Sequence, residues 1–278
     1  MEIKCDGKFT VISTDDSFNL ARTLESGQCF RWKAQDGGYI GTAMGHTLFA
    51  MQKDSLLYLE CSPRKAQKIW IPYFALDIDY NAVRREILTC EPKLADAASL
   101  ADGIHILRQE PWEALCSFVI SQNSNIPKIK RSVEILCQSF GDPLSEGGYS
   151  FPAAQRLALL APEQLEHLRC GYRAPYIINA AKAVAGGEIS LEELRKVPID
   201  DARKALMNIK GIGKKVADCA LLYGFERLDC FPVDRWIDRA MKAYFPEGSP
   251  ITSHKYAGIA QLYIFYMMIS GEKDDQPA

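Results

Sequence analysis

The chain has 278 residues, 33 of them Lys or Arg and 35 Asp or Glu, for a formal charge of −2. Hydrophobic residues at 47% and charged ones at 24% exclude a disordered or fibrous chain and fit one large or two to three small globular domains. A generally basic nucleic-acid binder is excluded as well, although a local basic face is not.

Nine cysteines (Cys5, Cys29, Cys61, Cys90, Cys116, Cys137, Cys170, Cys219 and Cys230) are odd in number, scattered and mostly set in apolar stretches. No Cys-x-x-Cys pair occurs and the four histidines are widely spaced, so we expect reduced core thiols and no zinc or other metal site. The N-terminal MEIKCDGKFT lacks the apolar centre of a signal peptide, and no run of about 18 apolar residues is present to cross a membrane. The expected setting is cytoplasmic, on the nucleoid if the source is bacterial, with no membrane partner and a monomeric chain.

Up to about residue 60, stretches rich in β-formers at 9–12, 29–33, 39–43, 47–51 and 56–60 predict a twisted antiparallel sheet. Asp36-Gly37-Gly38 and Gln52-Lys53-Asp54 read as turns, and 17–24 and 63–70 as helices. From about residue 80 the period becomes helical. Trp112, Leu115, Cys116 and Val119 mark one buried stripe, which ends in the polar run Ser121-Gln122-Asn123-Ser124-Asn125. Ile129, Val133, Leu136 and Phe140 mark the next. Residues 162–168 and 174–186 are helical, with Pro162 and Pro175 in first turns. The last helix, about 255–269, carries Ile259, Leu262, Tyr263 and Tyr266 on one stripe and Gly258, Gln261, Phe265 and Met268 on another; the tail GEKDDQPA reads as frayed. The expected fold is α+β, with an antiparallel sheet domain over 1–100 and a mostly helical, two-lobed region over 101–278.

The stretch 203–239 concentrates the chemistry. It predicts a helix-hairpin-helix at about 203–224 and a Pro-Val-Asp loop at 232–234. Gly211 and Gly213 bracket Ile212 and allow a sharp turn with close approach to another surface. With Lys210 and Lys214 beside it, the turn could hold a DNA phosphate. Lys215 falls in the first turn of the second helix, and the loop delivers Asp234 just before a further helical run. Each residue has a plainer explanation: an αα-corner with solvated lysines, a surface Lys215, and Asp234 as an N-cap.

Ile209-Lys210-Gly211-Ile212-Gly213-Lys214-Lys215-Val216-Ala217-Asp218-Cys219 followed by Pro232-Val233-Asp234 resembles the helix-hairpin-helix and Asp loop of the DNA glycosylase superfamily. Within it the match is best to the bifunctional 8-oxoguanine DNA glycosylase/AP-lyases. Four further segments agree in order: Ser26-Gly27-Gln28-Cys29-Phe30-Arg31-Trp32, the polar run 121–125, Gly171-Tyr172-Arg173, and Tyr256-Ala257-Gly258-Ile259-Ala260-Gln261 through Phe265. Any one of these is weak; five in sequence from 26 to 265 are specific.

That resemblance implies a partner and a mechanism. The partner is double-stranded DNA containing 8-oxoguanine, and the damaged nucleotide is swung out of the duplex into a pocket. The Gly27 carbonyl would accept a hydrogen bond from the N7–H that guanine lacks, Phe265 and Cys219 would sandwich the base, and Gln261 would read its Watson–Crick edge. Lys215 would attack C1′ and form a Schiff base that permits β-elimination, with Asp234 stabilising the charge on the sugar. Asn123 would fill the vacated space, Tyr172 would wedge the stack, and Arg173 would contact the orphaned cytosine. No cofactor is required, although the family implies a monovalent cation held by hairpin carbonyls.

Two positions depart from the better-known eukaryotic pattern. Lys128 stands where a second arginine faces the cytosine, and lysine lacks the bidentate fork, so opposite-base preference should relax. Trp236 stands where a phosphate-contacting histidine is typical. An alkylpurine glycosylase of the same superfamily would lack Lys215, and endonuclease III relatives usually carry a four-cysteine cluster after the Asp helix, whereas no cysteine follows Cys230. A non-catalytic helix-hairpin-helix module would keep the glycines without needing Lys215, Asp234 and a base pocket together.

Overall fold

The structure, a computed structural model, describes residues 2–14 and 17–274, with side chains to residue 270. Six strands, β1 (Ile3–Asp6), β2 (Phe9–Ser13), β3 (Trp32–Gln35), β4 (Gly38–Ala43), β5 (His46–Lys53) and β6 (Leu56–Leu59), form one antiparallel sheet ordered β1-β2-β6-β5-β4-β3. Asp36-Gly37 and Met44-Gly45 turn with consecutive positive φ (47° and 74°, 54° and 71°), the primed hairpin geometry that matches strand twist. The turn expected at 52–54 lies one step on, because Lys53 still pairs with Leu56.

Two boundaries differ from the sequence expectation for physical reasons. β1 was not expected: its pattern IKCD is mostly exposed and shows no clean alternation. The strand expected at 29–33 begins at Trp32, since Cys29 and Phe30 turn inward ahead of the ladder and Trp32 pairs with Gly41. An added Cβ at Gly41 would lie 2.2 Å from the Trp32 ring, so the indole lies flat across that glycine.

Helix α1 (Leu20–Glu25) is capped by Asn19, and α2 (Pro63–Lys65) runs through a π turn at Ala66–Trp70 into α3 (Ile71–Tyr73). These pack under the sheet around Trp32, Trp70, Tyr73 and Phe74, with the Trp32 indole N–H donating to the Tyr73 hydroxyl at 2.8 Å. The second lobe comprises α4 (Tyr80–Cys90), α5 (Ala95–Leu100), α6 (Pro111–Ser121), α7 (Ile126–Phe140), α8 (Ala154–Ala158), α9 (Ala174–Ala185), α10 (Ile199–Met207), α11 (Lys214–Phe225), α12 (Arg235–Tyr244) and α13 (Ala257–Asp274). By packing, residues 80–101 belong with these helices: Tyr80, Val83, Ile87, Leu94 and Ala98 are buried in the helical core. Residues 162–168 form a 3-10 helix rather than an α-helix. The last helix continues to Asp274, past the expected end at 269; residues 275–278 of the polar tail lie outside the described residues.

α11 is the centre of this lobe, buried from Val216 to Phe225. α13 crosses it at Gly258, where a Cβ would meet Leu222 Cδ1 at 2.3 Å. No described helix is long and apolar enough to cross a membrane.

The lobes are joined close to the expected lesion-reading loop. Gln28 is buried and donates to the carbonyls of Thr23 and His105, while its own oxygen accepts from Leu107 N at 2.8 Å. Gln109 Nε2 in turn donates to the Gln28 carbonyl at 2.8 Å. This web fixes the backbone on either side of Gly27, and buried amides satisfied in this way hold one geometry.

Candidate active site

α10 and α11 meet at the hairpin Lys210-Gly211-Ile212-Gly213. Gly211 has φ +102°, and an added Cβ would lie 2.2 Å from the Tyr176 ring, so conformation and space both demand glycine. Gly213 differs: a Cβ there meets nothing within 4 Å. Its openness leaves room for another molecule. The hairpin is tied down by Asn179, whose Nδ2 donates to the Lys210 carbonyl at 3.2 Å, and by Gln122, whose Nε2 donates to the Gly211 carbonyl at 3.1 Å.

The lysines beside the turn are not equivalent. Lys210 is exposed. Lys214 is exposed too, yet its ammonium pairs at 2.8 Å with Asp218, which is 1% exposed and also receives Arg203 Nε at 2.5 Å. Lys214 therefore helps to hold a buried carboxylate, and Arg203 of α10 joins the two hairpin helices through it. Sequence reading gave Lys214 to DNA; the structure gives its charge a partner within the protein.

Lys215, one residue on, is half-buried, and its Nζ lies 5.4 Å above the centre of the Phe118 ring. That ring is held by stacking on Tyr223 at 5.2 Å and by the edge of Phe30 at 5.7 Å. Cys219 is one turn beyond Lys215. Burial pushes its thiol up, and the charge and hydrogen bond of Lys215 act in the opposite direction. Asp234 caps α12: its Oδ1 accepts from Trp236 N at 2.9 Å and Ile237 N at 3.0 Å. One oxygen is thus committed to the helix. Among the described residues the other has no hydrogen-bond partner.

Lys215 and Asp234 face one cavity of about 550 Å³. Gly27, Phe118, Asn123, Arg235, Trp236 and Phe265 are among its other walls. Gly27 sits at φ +84°, and a Cβ would come within 3.1 Å of Phe265 and 3.2 Å of Ile126. Gly27 therefore packs closely against Phe265 and Ile126, with no room for a side chain between them. No donor among the described residues reaches the Gly27 carbonyl. Gln261, one helical turn before Phe265 on α13, is 5% exposed, and its Oε1 is buried with no hydrogen-bond partner. An orphaned buried acceptor costs roughly 1–3 kcal/mol, an outlay tolerated where a ligand supplies the donor. Gln261 and Cys219 lie in the core behind the cavity surface rather than on it.

The expected wedge residues gather at the cavity's edge. Asn123 is exposed at φ +47°, in the left-handed region that asparagine tolerates. Arg173 holds that loop, donating to the carbonyls of Gln122, Asn123 (2.7 Å) and Cys170 (3.1 Å), with its guanidinium 4.9 Å over the Tyr172 ring. Tyr172 is 54% exposed and sets its edge against Tyr176, the ring under Gly211. Lys128 is exposed in the first turn of α7, whose cap is Asn125. Trp236 is half-buried beneath the Arg235 guanidinium.

Sequence reasoning passed over Phe118, Tyr176 and Arg235, and named Gln122 only within the polar run without a role. Phe118 carried a usable signal, being an aromatic off the buried stripe of α6 just before a polar loop. Among the described residues no three His, Cys, Asp or Glu side chains gather as a metal site.

Residues 10–115 match the family model of the 8-oxoguanine DNA glycosylase N-terminal domain, and residues 116–257 match that of the HhH-GPD superfamily base excision DNA repair proteins. The chain is 31% identical over 253 residues to an N-glycosylase/DNA lyase of Saccharomyces cerevisiae, covering 80% of this chain and 67% of that protein. It is 29% identical over 273 residues to the N-glycosylase/DNA lyase OGG1 of Arabidopsis thaliana, covering 92% of this chain and 75% of that protein. The Clostridium acetobutylicum 8-oxoguanine glycosylase/lyase, solved with double-stranded DNA containing cytosine opposite 8-oxoG, superposes with a TM-score of 0.91 at 28% identity, covering 98% of this chain and 99% of that one. With both models matched in order along the chain, it belongs to the HhH-GPD superfamily of base excision DNA repair proteins, in the branch that carries the 8-oxoguanine DNA glycosylase N-terminal domain.

Proposed function

We propose that this chain excises 8-oxoguanine from duplex DNA and cleaves the strand at the resulting site, with Lys215 as nucleophile. One observation carries the proposal: Lys215, Asp234, Gly27 and Phe265, from four separate parts of the chain, face a single cavity of about 550 Å³. That is a space of the size small-molecule sites occupy, and it takes one extruded nucleotide base.

In this reading the base enters the cavity beside Gly27 as the Phe265 ring gives way, and the unengaged Gly27 carbonyl accepts from the lesion's N7–H. Phe265 lies against the base, and the orphaned Gln261 oxygen receives a donor from its Watson–Crick edge after a small shift of the pocket wall. Lys215 attacks C1′ as the glycosidic bond to the base breaks, and the base leaves with a proton given up by the amine. The C1′–O4′ bond then opens, O4′ taking a proton, to leave the Schiff base, and loss of a C2′ proton expels the 3′ phosphate. Asp234 keeps one oxygen in its helix cap and turns the other toward the cationic sugar, so its position needs no reorganisation during the reaction. Asn123 and Tyr172 enter the space left in the duplex, and Arg173 and Lys128 stand on the side of the opposite base. Lys210 and the open face at Gly213 meet the phosphate backbone.

A monovalent cation at the hairpin would be held by backbone carbonyls. That of Ile212 takes no hydrogen bond among the described residues and fits the role. Such an ion would add positive charge toward a DNA phosphate.

Excision and strand scission of a duplex with one 8-oxoguanine test the reading. The wild-type protein should release the base and nick the strand, leaving unmodified guanine intact, and Lys215→Gln should nick no strand. Equal attack on guanine, or nicking by Lys215→Gln, would overturn it.

A further inference from the structure

We infer that Arg235, stacked on Trp236 at the mouth of the catalytic cavity, binds the DNA phosphate that flanks the extruded nucleotide. Given the excision reading of this cavity, a phosphate must lie close by. A nucleotide whose C1′ is at Lys215 carries its own phosphates a few bonds away, and the start of α12, with Asp234, Arg235 and Trp236, forms one side of the rim beside it.

The groups available at that rim narrow the choice. The amides of Trp236 and Ile237 already donate to Asp234 Oδ1, so the start of α12 has little backbone left to offer an anion. The indole of Trp236 has a single N–H. Lys215 and Arg235 are the cations lining the cavity, and Lys215 is committed to the sugar. Nearby Lys214 is held by the buried Asp218. Arg235 remains.

Its surroundings are arranged to present it. The guanidinium carbon lies 4.9 Å over the Trp236 ring. A ring over one face of a guanidinium leaves the in-plane N–H groups free to donate, and that edge matches two phosphate oxygens. Among the described residues no carboxylate pairs with Arg235. Asp234, beside it, keeps one oxygen in its cap and, in the excision reading, the other for the sugar; Asp238, one turn along, holds Lys242 at 2.7 Å. Trp236 is then the platform, and the phosphate contact expected of it passes to its neighbour.

Binding to a duplex containing an uncleavable tetrahydrofuran abasic analogue, measured across about 0.05–0.3 M KCl, tests this, because each phosphate contact contributes about 0.9 to the slope of log K against log salt. Arg235→Met and Arg235→Gln should each flatten the slope by about 0.9 and weaken binding about tenfold at low salt, and Arg235→Lys should restore the slope. Trp236→Leu should weaken binding about threefold through loss of the stacked platform. Lys68→Met, which removes an exposed cation from the sheet lobe, should leave the slope unchanged.

Wild-type slope in both neutral Arg235 variants would overturn the assignment, as would an equal fall in Lys68→Met, which would mark a general field rather than a contact. Full affinity in Trp236→Leu would overturn the platform. The measurement needs no catalysis, so a wild-type protein that failed to excise 8-oxoguanine would sink the excision reading and leave the salt slopes to decide Arg235 by themselves.

Discussion

On one side of the cavity, Lys215 and Asp234 sit at the starts of α11 and α12, the first over a stacked aromatic pair and the second locked by two hydrogen bonds to its own helix. On the other, Gly27 and Asn123 sit in loops with positive φ, and Tyr172 projects from a short 3-10 turn with about half of its surface exposed. The helix starts fix atoms that must meet a sugar at bonding distance. The loops place groups that must enter or grip a deformable duplex, and such groups tolerate more movement. Changes on the first side should therefore strike rate at little cost in stability, and changes on the second should alter selection or affinity.

Asp234→Asn separates charge from capping most sharply. Asparagine caps a helix about as well as aspartate, so the melting temperature should stay within about 3 °C of wild type. Excision should fall by roughly 10²–10³-fold, since the charge facing the sugar is gone. A large loss of stability with excision intact would reverse the division of roles.

Gly27→Ala is the counterpart on the reading side. The new methyl is strained at φ +84° and comes within 3.1 Å of Phe265. We expect about 1 kcal/mol of destabilisation and a fall in 8-oxoguanine excision of more than about tenfold, with the cavity narrowed where the base should enter. Wild-type single-turnover rates for this variant would place the base elsewhere.

Lys128 should give a smaller effect. Rates across cytosine, thymine, guanine and adenine opposite the lesion should differ less than in Lys128→Arg, where a planar fork is restored. A wild-type panel with strict dependence on cytosine would contradict the relaxed preference.

The smallest effect concerns the seam between the lobes. Glu113 of α6 pairs with Arg31 at 3.2 Å, and both side chains are nearly buried. Burial outweighs the arginine's pull and raises the Glu113 carboxyl to about 7. A carboxyl raised on folding binds protons more readily in the native than in the unfolded chain. Its contribution to stability is thus present at low pH and lost as pH rises toward 7. Glu113→Gln lacks that dependence, so its melting temperature should gain on wild type by about 2–4 °C between pH 5 and pH 8. A gain by wild type over that range would show that the Arg31 pair dominates.

The chemical side was the more legible in sequence because its signals are local. The two hairpin glycines, a lysine in the following first turn, and an aspartate directly before a helical stripe can all be read from neighbours. Gln261 and Phe265 were readable as a pair for the same reason, being four residues apart on one helix. Lys214 shows the limit: its partner Asp218 is also four residues away, but only the buried end of Arg203 reveals that Asp218 points inward and needs a cation. The support around Gly27 was invisible, since Gln28 bonds to residues 77 and 79 positions further on. β1 was missed because an edge strand exposed over most of its length has no alternation to detect.

The central claim is that Lys215 becomes covalently joined to the sugar. Borohydride reduction during reaction with an 8-oxoguanine duplex tests it most directly, with peptide mapping of the trapped complex. The account predicts a stable protein–DNA adduct carried on Lys215 and absent from Lys215→Gln. No adduct with wild-type protein, or an adduct mapped to another residue, would contradict it.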